Sequence, residues 1–426
     1  VTRAVAAQIR EVVTENAMNA KSKSRMDFST AYDVVVCGGG IAGVAAALSS
    51  ARRGLKTCLI EKTVFTGGLA TTGNVLIYLP LSNRAGCQTT FGIAEELMRE
   101  SVCYGPGECH TINDWSKGHA SVFTPAAFVL RLDEILQQDG VDVWFDTLVC
   151  RTRSSRGNVR GIEVENKSGR GLIKGKCFVD ATGDADVAFR SGAPCATQLN
   201  FLSLWAVGMK PGCAEDLLAD GCRANRLLMP VGAWDDGSNA PGGMRKFSGV
   251  DSKDVSEFIL TGRRLLREKY QAEQAKLGPD GRKKIFPMGL PAMANFRTTR
   301  RIEAIYTLGD HEEFKHFDDS VGAVTDWKKG KALWELPYRA LIPKNAGALL
   351  AAGRCIGARD EAWSVFRVIQ AAAMSGEVAG LAASMCAERG MDPAALPIRD
   401  IQSELKKRSF VLDVRELNPA AISSGS

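Results

Sequence analysis

With 426 residues and the composition of an ordinary globular protein, the chain is long enough for two domains around a sizeable core. Its net charge of +6 is mild at this length; it suits an anionic substrate but is no nucleic-acid signature. No apolar run approaches the length of a membrane span and no secretory core opens the chain, so a soluble, cytoplasmic protein with no membrane partner is expected.

The sequence begins on Val1 rather than Met, which is compatible with removal of an upstream leader. Residues 4–15 read as an amphipathic helix and 19–25 as a polar run, so residues 1–30 are expected to form an N-terminal arm. A β-α-β unit follows: an apolar strand at 34–36, an Ala-rich helix at 41–52 and a second strand at 57–60. Between the first strand and the helix lie Gly38, Gly40 and Gly43. The first permits the tight turn, the second lets a pyrophosphate approach the backbone, and the third lets the helix pack close to the strands. Free N–H groups at the helix start would face the phosphates. Glu61, 23 residues after Gly38, closes the second strand where a carboxylate can accept from both ribose hydroxyls. An acid there disfavours a 2′-phosphate, so the unit fits NAD or the ADP half of FAD, which the motif alone does not separate.

Residues 62–73 are too rich in Gly and Thr for a regular element and read as a loop that bends around the cofactor. Residues 80–123 read as irregular, broken at Gly105-Pro106-Gly107. Thr124 then caps a helix with Pro125 in its first position, running to Gly140. Strands at 141–145 and 148–151 precede a hairpin of 159–165 with 171–175, which makes a β-meander. A buried strand at 176–180 runs into a second glycine turn.

From 194 to 334 the texture changes to long polar segments, a helix at 253–277 and Pro/Gly-rich stretches, as in a separate substrate domain. Dinucleotide-type sequence resumes at 336–343, with strand and turn at 348–354 and a long small-residue helix at 365–389. The expected fold is therefore α/β. A Rossmann-like domain with a central parallel sheet and β-meander would span 31–193 and 335–426, and an inserted α+β cap or substrate domain 194–334. Twelve cysteines without any CxxC or clustered spacing exclude a dithiol reductase and an iron–sulfur carrier. The histidines at 110, 119, 311 and 316 show no zinc-ligand spacing, so no metal is expected.

Five separated runs carry a resemblance: 33–43, 61–73, 178–186, 295–303 and 349–356. Together they resemble the FAD-dependent oxidoreductases of the glutathione-reductase-like superfamily, relatives of the fumarate-reductase flavoprotein group, over nearly the whole chain beyond residue 30. The resemblance implies FAD. It implies that Gly38, Gly40 and Gly43 face the pyrophosphate and Glu61 the adenosine ribose, with Ile41, Ala42 and Lys62 also among the cofactor-binding residues. Gly67, Gly68, Leu69 and Ala70 would line the pyrophosphate and ribityl side. Val149 would meet adenine through its backbone, and Ala181, Thr182, Gly183 and Asp184 would support the ADP half. Gly353 and Arg354 would lie beside the ribityl chain, and Arg367 could meet the flavin near the start of the late helix, whose dipole would favour an anionic reduced flavin. The chain departs from the wider pattern in carrying Arg354 where many such flavoproteins carry Asp, and Asp360 where the family commonly carries His.

Such chemistry needs a hydride aimed at flavin N5, a group that orients the substrate, and often a base. Arg297, Arg300 and Arg301 are candidates for clamping a substrate carboxylate, although adjacent Arg300 and Arg301 are not expected to share a pocket. His119, His311, His316, Asp360 and Tyr338 are candidate bases. The expectation is an FAD-dependent dehydrogenase or oxidase acting on a small organic molecule, with a carboxylate as one candidate. A fumarate-type reductase with an external electron donor is the alternative within the class. A tRNA-modifying flavoprotein is the alternative outside it, but the basic runs near Lys283 and Lys328 are too short to predict a nucleic-acid partner. A homo-oligomer remains open.

Overall fold

A computed structural model describes residues 28–106, 120–234 and 237–417. The helix expected at 4–15, together with His110 and His119, lies outside the described residues. The chain is organised around β1 (Ala31–Cys37), which is buried from Val34 onward because it has a parallel neighbour on each side. From it the chain rises through α1 (Ile41–Ala51) and returns as β2 (Thr57–Ile60), paired with β1 from Val34 with Thr57 to Cys37 with Ile60. Next come α2 (Ile93–Glu100), α3 (Pro125–Gln138) and β3 (Asp142–Trp144), the last lying parallel to β2 at the sheet's edge.

The meander is β4 (Leu148–Ser155), β5 (Asn158–Asn166) and β6 (Gly169–Asp180). The hairpin arm and the buried strand expected separately at 171–175 and 176–180 are one strand, β6, with two tasks. Its first half pairs antiparallel with β5, and its last half carries the parallel sheet between β1 and β10 (Leu349–Ala351). The sheet therefore runs β3-β2-β1-β6, with both β10 and the meander against the far edge of β6.

Before β10, residues 203–289 build a smaller antiparallel sheet from β7 (Ser203–Met209), β8 (Leu228–Gly232) and β9 (Phe286–Gly289), with β7 in the middle. Helix α4 (Ser252–Lys276) lies on it; Asp251 caps α4 by accepting from the Lys253 and Asp254 N–H groups. Its buried residues Phe258, Gly262, Leu266 and Tyr270 recur every four positions, a single stripe that packs with Leu204, Met229 and Phe296 into a local core. Residues from the rest of 194–334 pack elsewhere: Val321, Val324 and Trp334 belong to the core under α1, and Ile302 and Ala304 to the core on the other face of the main sheet.

Two further expectations need correction. The stretch 80–123 is not wholly irregular, because α2 sits in it, with Glu95 and Glu96 in its first turn and Arg99 in its last, as its dipole favours. The helix expected over 365–389 is two: α5 (Asp360–Phe366) and α6 (Ile369–Arg389), bent by 83° where Val368 takes an extended conformation. Among the described residues no single helix is long and apolar enough to cross a membrane. The bent α5–α6 pair reaches that length and composition, but α6 is buried over nearly its whole length.

Candidate functional site

The groove at the carboxyl end of β1 is shaped by what the three glycines lack. A Cβ on Gly38, whose φ is +102°, would lie 2.4 Å from the Ala181 carbonyl oxygen, and one on Gly43 would lie 1.7 Å from that of Gly38. At Gly40 the nearest atom to such a Cβ would be the Gly68 Cα at 3.9 Å, so this residue faces the groove. Turn, approach and helix packing thus fall to different glycines.

Glu61 is buried, and both of its oxygens are fixed by backbone: Oε2 accepts from Gly39 N at 2.7 Å and Oε1 from Thr63 N at 2.8 Å. Each oxygen keeps a further lone pair for a ligand hydroxyl. The loop after it is tied to the glycine turn, Gly67 N donating to Gly39 O at 2.8 Å. Gly67 and Gly68 both take positive φ, and Thr72 Oγ1 donates to Gly68 O at 2.7 Å.

The opposite wall is the turn after β6. Asp180 is fully buried and accepts from Ala188 N at 2.9 Å and Thr182 Oγ1 at 2.7 Å; burial pushes its carboxyl above the usual range. Behind the turn, the Cys355 thiol accepts from Gly183 N at 3.1 Å and Ala185 N at 3.2 Å, and burial raises it well above an ordinary thiol. Arg354 lies over Gly183 and donates to Phe296 O at 3.1 Å, reaching Asp184 at 3.5 Å; a Cβ on Gly183 would sit 2.5 Å from its Nη2. Gly353 N donates to Ser375 Oγ of α6 at 3.0 Å, which brings the start of that helix to the groove's end.

The structure gathers most of the sequence-predicted cofactor residues along this one groove: Gly38 to Ala42, Glu61, Lys62, Gly67 to Ala70, the turn Ala181 to Gly183, Gly353, Arg354 and Arg367 line it, except that Gly39 stands behind Glu61. Gly43 is turned into the helix–strand contact, Val149 lines the pocket beyond Glu61, and Asp184 lines a wider cavity of about 830 Å³ that opens past Lys62 and Arg354. Thr72, Met293, Ile369 and Ala372 also line the groove, and sequence reasoning had not singled them out. Ile369 and Ala372 follow from where α6 begins, but Met293 comes from a turn without a pattern. A carboxylate beyond one end, bare backbone in the middle and the N–H groups of a buried helix start at the other fit an extended dinucleotide such as FAD.

Next to the groove, and sharing Arg367 with it, is a polar cavity of about 80 Å³. Lys246, Arg297 and Arg367 bring three cations to it, with Asn200, Trp234 and Ser364 among its other walls and no carboxylate among the described lining residues. Arg297 stands over the Trp205 ring at 5.0 Å, its Nη2 3.4 Å from Ser203 Oγ. Its backbone is held by buried Asn200, whose Oδ1 accepts from Arg297 N at 3.1 Å and Thr298 N at 2.9 Å.

The other candidates lie apart from both spaces. Arg300 donates to Asp184 O at 2.8 Å and Asp186 at 2.5 Å and stacks on Phe189, and Arg301 pairs with Glu303 at 3.0 Å. Asp360 is exposed at the start of α5 and pairs with Arg359 at 3.0 Å. Tyr338 is buried and donates to Pro393 O at 3.0 Å; His316 faces Glu335 at 3.1 Å; His311 is on an exposed turn.

Compared with known proteins, the chain matches the family described as FAD dependent oxidoreductase over residues 33–199 and 222–405. It is 52% identical over 50 residues to a glycerol-3-phosphate dehydrogenase of Synechocystis sp., covering 12% of this chain and 9% of that protein. With a thioredoxin reductase of Ureaplasma parvum it shares 35% identity over 71 residues, 17% of this chain and 23% of the relative. The matches thus span less than a quarter of these curated relatives. A solved structure, a geranylgeranyl bacteriochlorophyll reductase-like protein from Thermoplasma acidophilum, is 15% identical, covers 89% of this chain and 84% of its own, and superposes with a TM-score of 0.47.

Proposed function

This chain belongs to the FAD dependent oxidoreductase family, and from that premise we propose that it transfers a hydride between a small carboxylate substrate and flavin N5. The observation that carries the reading is the cavity with Lys246, Arg297 and Arg367 in its walls, adjacent to the FAD groove, with which it shares Arg367. Bound FAD supplies a two-electron acceptor, chemistry that no side chain can provide.

The protein's part is binding and orientation. Arg297 presents a planar fork suited to a carboxylate, and its stacking on Trp205 limits the positions that fork can take. Lys246, 4.7 Å from the Phe201 ring centre, adds a second positive charge. Three cations among the described lining residues favour an anion over a neutral molecule of the same shape. With no histidine or carboxylate in that lining among the described residues, Arg297 has the role of orientation and not of proton removal. The first-turn N–H groups of α6 favour negative charge at the groove's end.

The test is anaerobic mixing of the yellow protein with small hydroxy- and amino-carboxylates and with neutral alcohols of equal size. Carboxylates are expected to bleach the flavin, and Arg297→Ala to raise their KM by about tenfold or more without a matching change for neutral compounds. Equal bleaching by the neutral set, with KM unmoved in Arg297→Ala, would sink the carboxylate reading. Oxidation of pre-reduced flavin by an unsaturated acid, with no bleaching by saturated ones, would reverse the direction of the reaction.

A further inference from the structure

A second cavity, of about 160 Å³, lies against another face of the first turn of α6. Ile369 and Ala372 face the FAD groove, while Gln370 faces this space, because each step along a helix turns the side chain by about 100°. Its other walls come from the chain around Ser82 and from the turn that carries Trp327. It shares no residue with the Arg297 cavity.

Two polar atoms in its lining are unmatched. Ser82 is 3% exposed and Gln370 is 2% exposed, and neither the Ser82 Oγ nor the Gln370 Oε1 has a hydrogen-bond partner among the described residues. Buried polar atoms are costly to leave in that state, and two in one cavity mark a place for a polar guest. Arg84, also in the lining, is exposed and makes no ion pair among the described residues. Its position is nevertheless built: Arg84 N donates to Gly330 O at 2.9 Å, and a Cβ on Gly330 would lie 2.6 Å from the Arg84 Cδ. The one carboxylate among the described lining residues, Asp326, is already committed, accepting from Lys328 N at 2.8 Å, Lys329 N at 2.9 Å and Trp334 Nε1 at 3.3 Å. What remains to recognise a guest is a guanidinium, a hydroxyl and a carboxamide.

We propose that this cavity is a second ligand site, for a small carboxylate bearing a neighbouring hydroxyl or ammonium group. Arg84 takes the carboxylate, and Ser82 with Gln370 takes the neighbouring group. The space equals the liquid volume of about five waters, which suits an acid of a few carbons. This site does not depend on the redox reading of the Arg297 cavity.

The FAD-loaded protein is titrated calorimetrically, in turn, with glycolate, lactate, glycine and alanine at millimolar concentration. At least one is expected to bind saturably, the hydroxy and amino pairs telling which neighbouring group is preferred. Arg84→Ala and Gln370→Leu should each weaken one saturable binding event by about tenfold or more, and that event should persist in Arg297→Ala, which weakens only binding at the other cavity. Arg84 is exposed, so its variant is expected to fold; Ser82→Ala serves if Gln370→Leu does not. The proposal is overturned if none of the four acids binds. It is equally overturned if Arg297→Ala abolishes every binding event while Arg84→Ala removes none, which would place the ligand in the other cavity alone, or if crystals of the holoprotein soaked in the acids hold only water beside Ser82 and Gln370.

Discussion

Arg297 and Arg300 lie three residues apart and predict opposite phenotypes. Arg300 is 8% exposed, with its guanidinium committed to Asp184 O and Asp186. Burial and nearby Asp184 push the Asp186 carboxyl up, and Arg300 opposes them. Arg300→Ala therefore strands a part-buried carboxylate and should cost about 1–3 kcal/mol of stability, visible as a lower Tm, with little change in substrate KM in protein that remains folded. Arg297→Ala should raise the KM for carboxylates and leave Tm nearly unchanged. Measuring both quantities on both variants checks the assignment. At Glu61, Ala would leave Gly39 N and Thr63 N unpaired and remove the ribose acceptor, so the variant should emerge from purification with less FAD, measured by flavin release on denaturation. Glu61 and the glycines were legible in the sequence because a short β-α-β unit forces them into one place. Lys246, Trp234 and Ser364 were not, since no periodicity links residues delivered to one cavity by separate parts of the chain.

Among the elements, the contact of α1 with α6 does most to fix the groove. A Cβ on Gly376 would lie 2.1 Å from Ala42 O, and one on Gly380 would lie 2.2 Å from Ala46 O, so the two helices touch backbone to backbone. Gly380→Ala should force them apart, cost about 1–3 kcal/mol and weaken FAD retention through Ala42, which lines the groove. Thermal melts paired with flavin content would show both losses together. The small-residue run of α6 was readable, but the break at Val368 was not. No Pro or Gly marks it; α5 instead buries Trp363, Val365 and Phe366, and Trp363 Nε1 donates to Arg354 O at 2.9 Å, so tertiary packing sets the bend. The segment from Phe410 to Leu417 is held to the core where Glu335 accepts from Val414 N at 2.8 Å, and beside it Arg415 lowers the Asp413 carboxyl to about 2. An acid depressed in the folded state contributes stability above its unfolded pKa and loses that contribution as pH falls through the folded one. The stability gap between wild type and Asp413→Asn should hold at neutral pH and close between about pH 4 and 2, as followed by acid unfolding.

Across the whole molecule, the FAD groove is where separate cores meet. β6 carries Val179 in the core under α1 and Phe178 in the core on the sheet's other face, and its end forms the groove wall at Ala181. Met293 adds a lining residue from the segment between β9 and β10, next to Phe296 of the third core, whose carbonyl receives Arg354. A dinucleotide filling this groove contacts parts anchored in all three, so its binding energy is shared by the assembly rather than by one element. A ligand that binds only the folded state stabilises by RT ln(1 + [L]/Kd), about 2.7 kcal/mol at a hundredfold excess over Kd. Removing FAD should therefore lower Tm, and re-adding it should raise Tm with the logarithm of its concentration. If the cores are coupled through the groove, the melt of the holoprotein should be a single transition by both near-UV and far-UV circular dichroism. The FAD-free protein should then separate into at least two, with the α4 unit unfolding on its own. A single coincident transition in both forms would mean that the smaller sheet is joined to the rest by protein contacts alone, and that FAD adds stability without adding cooperativity.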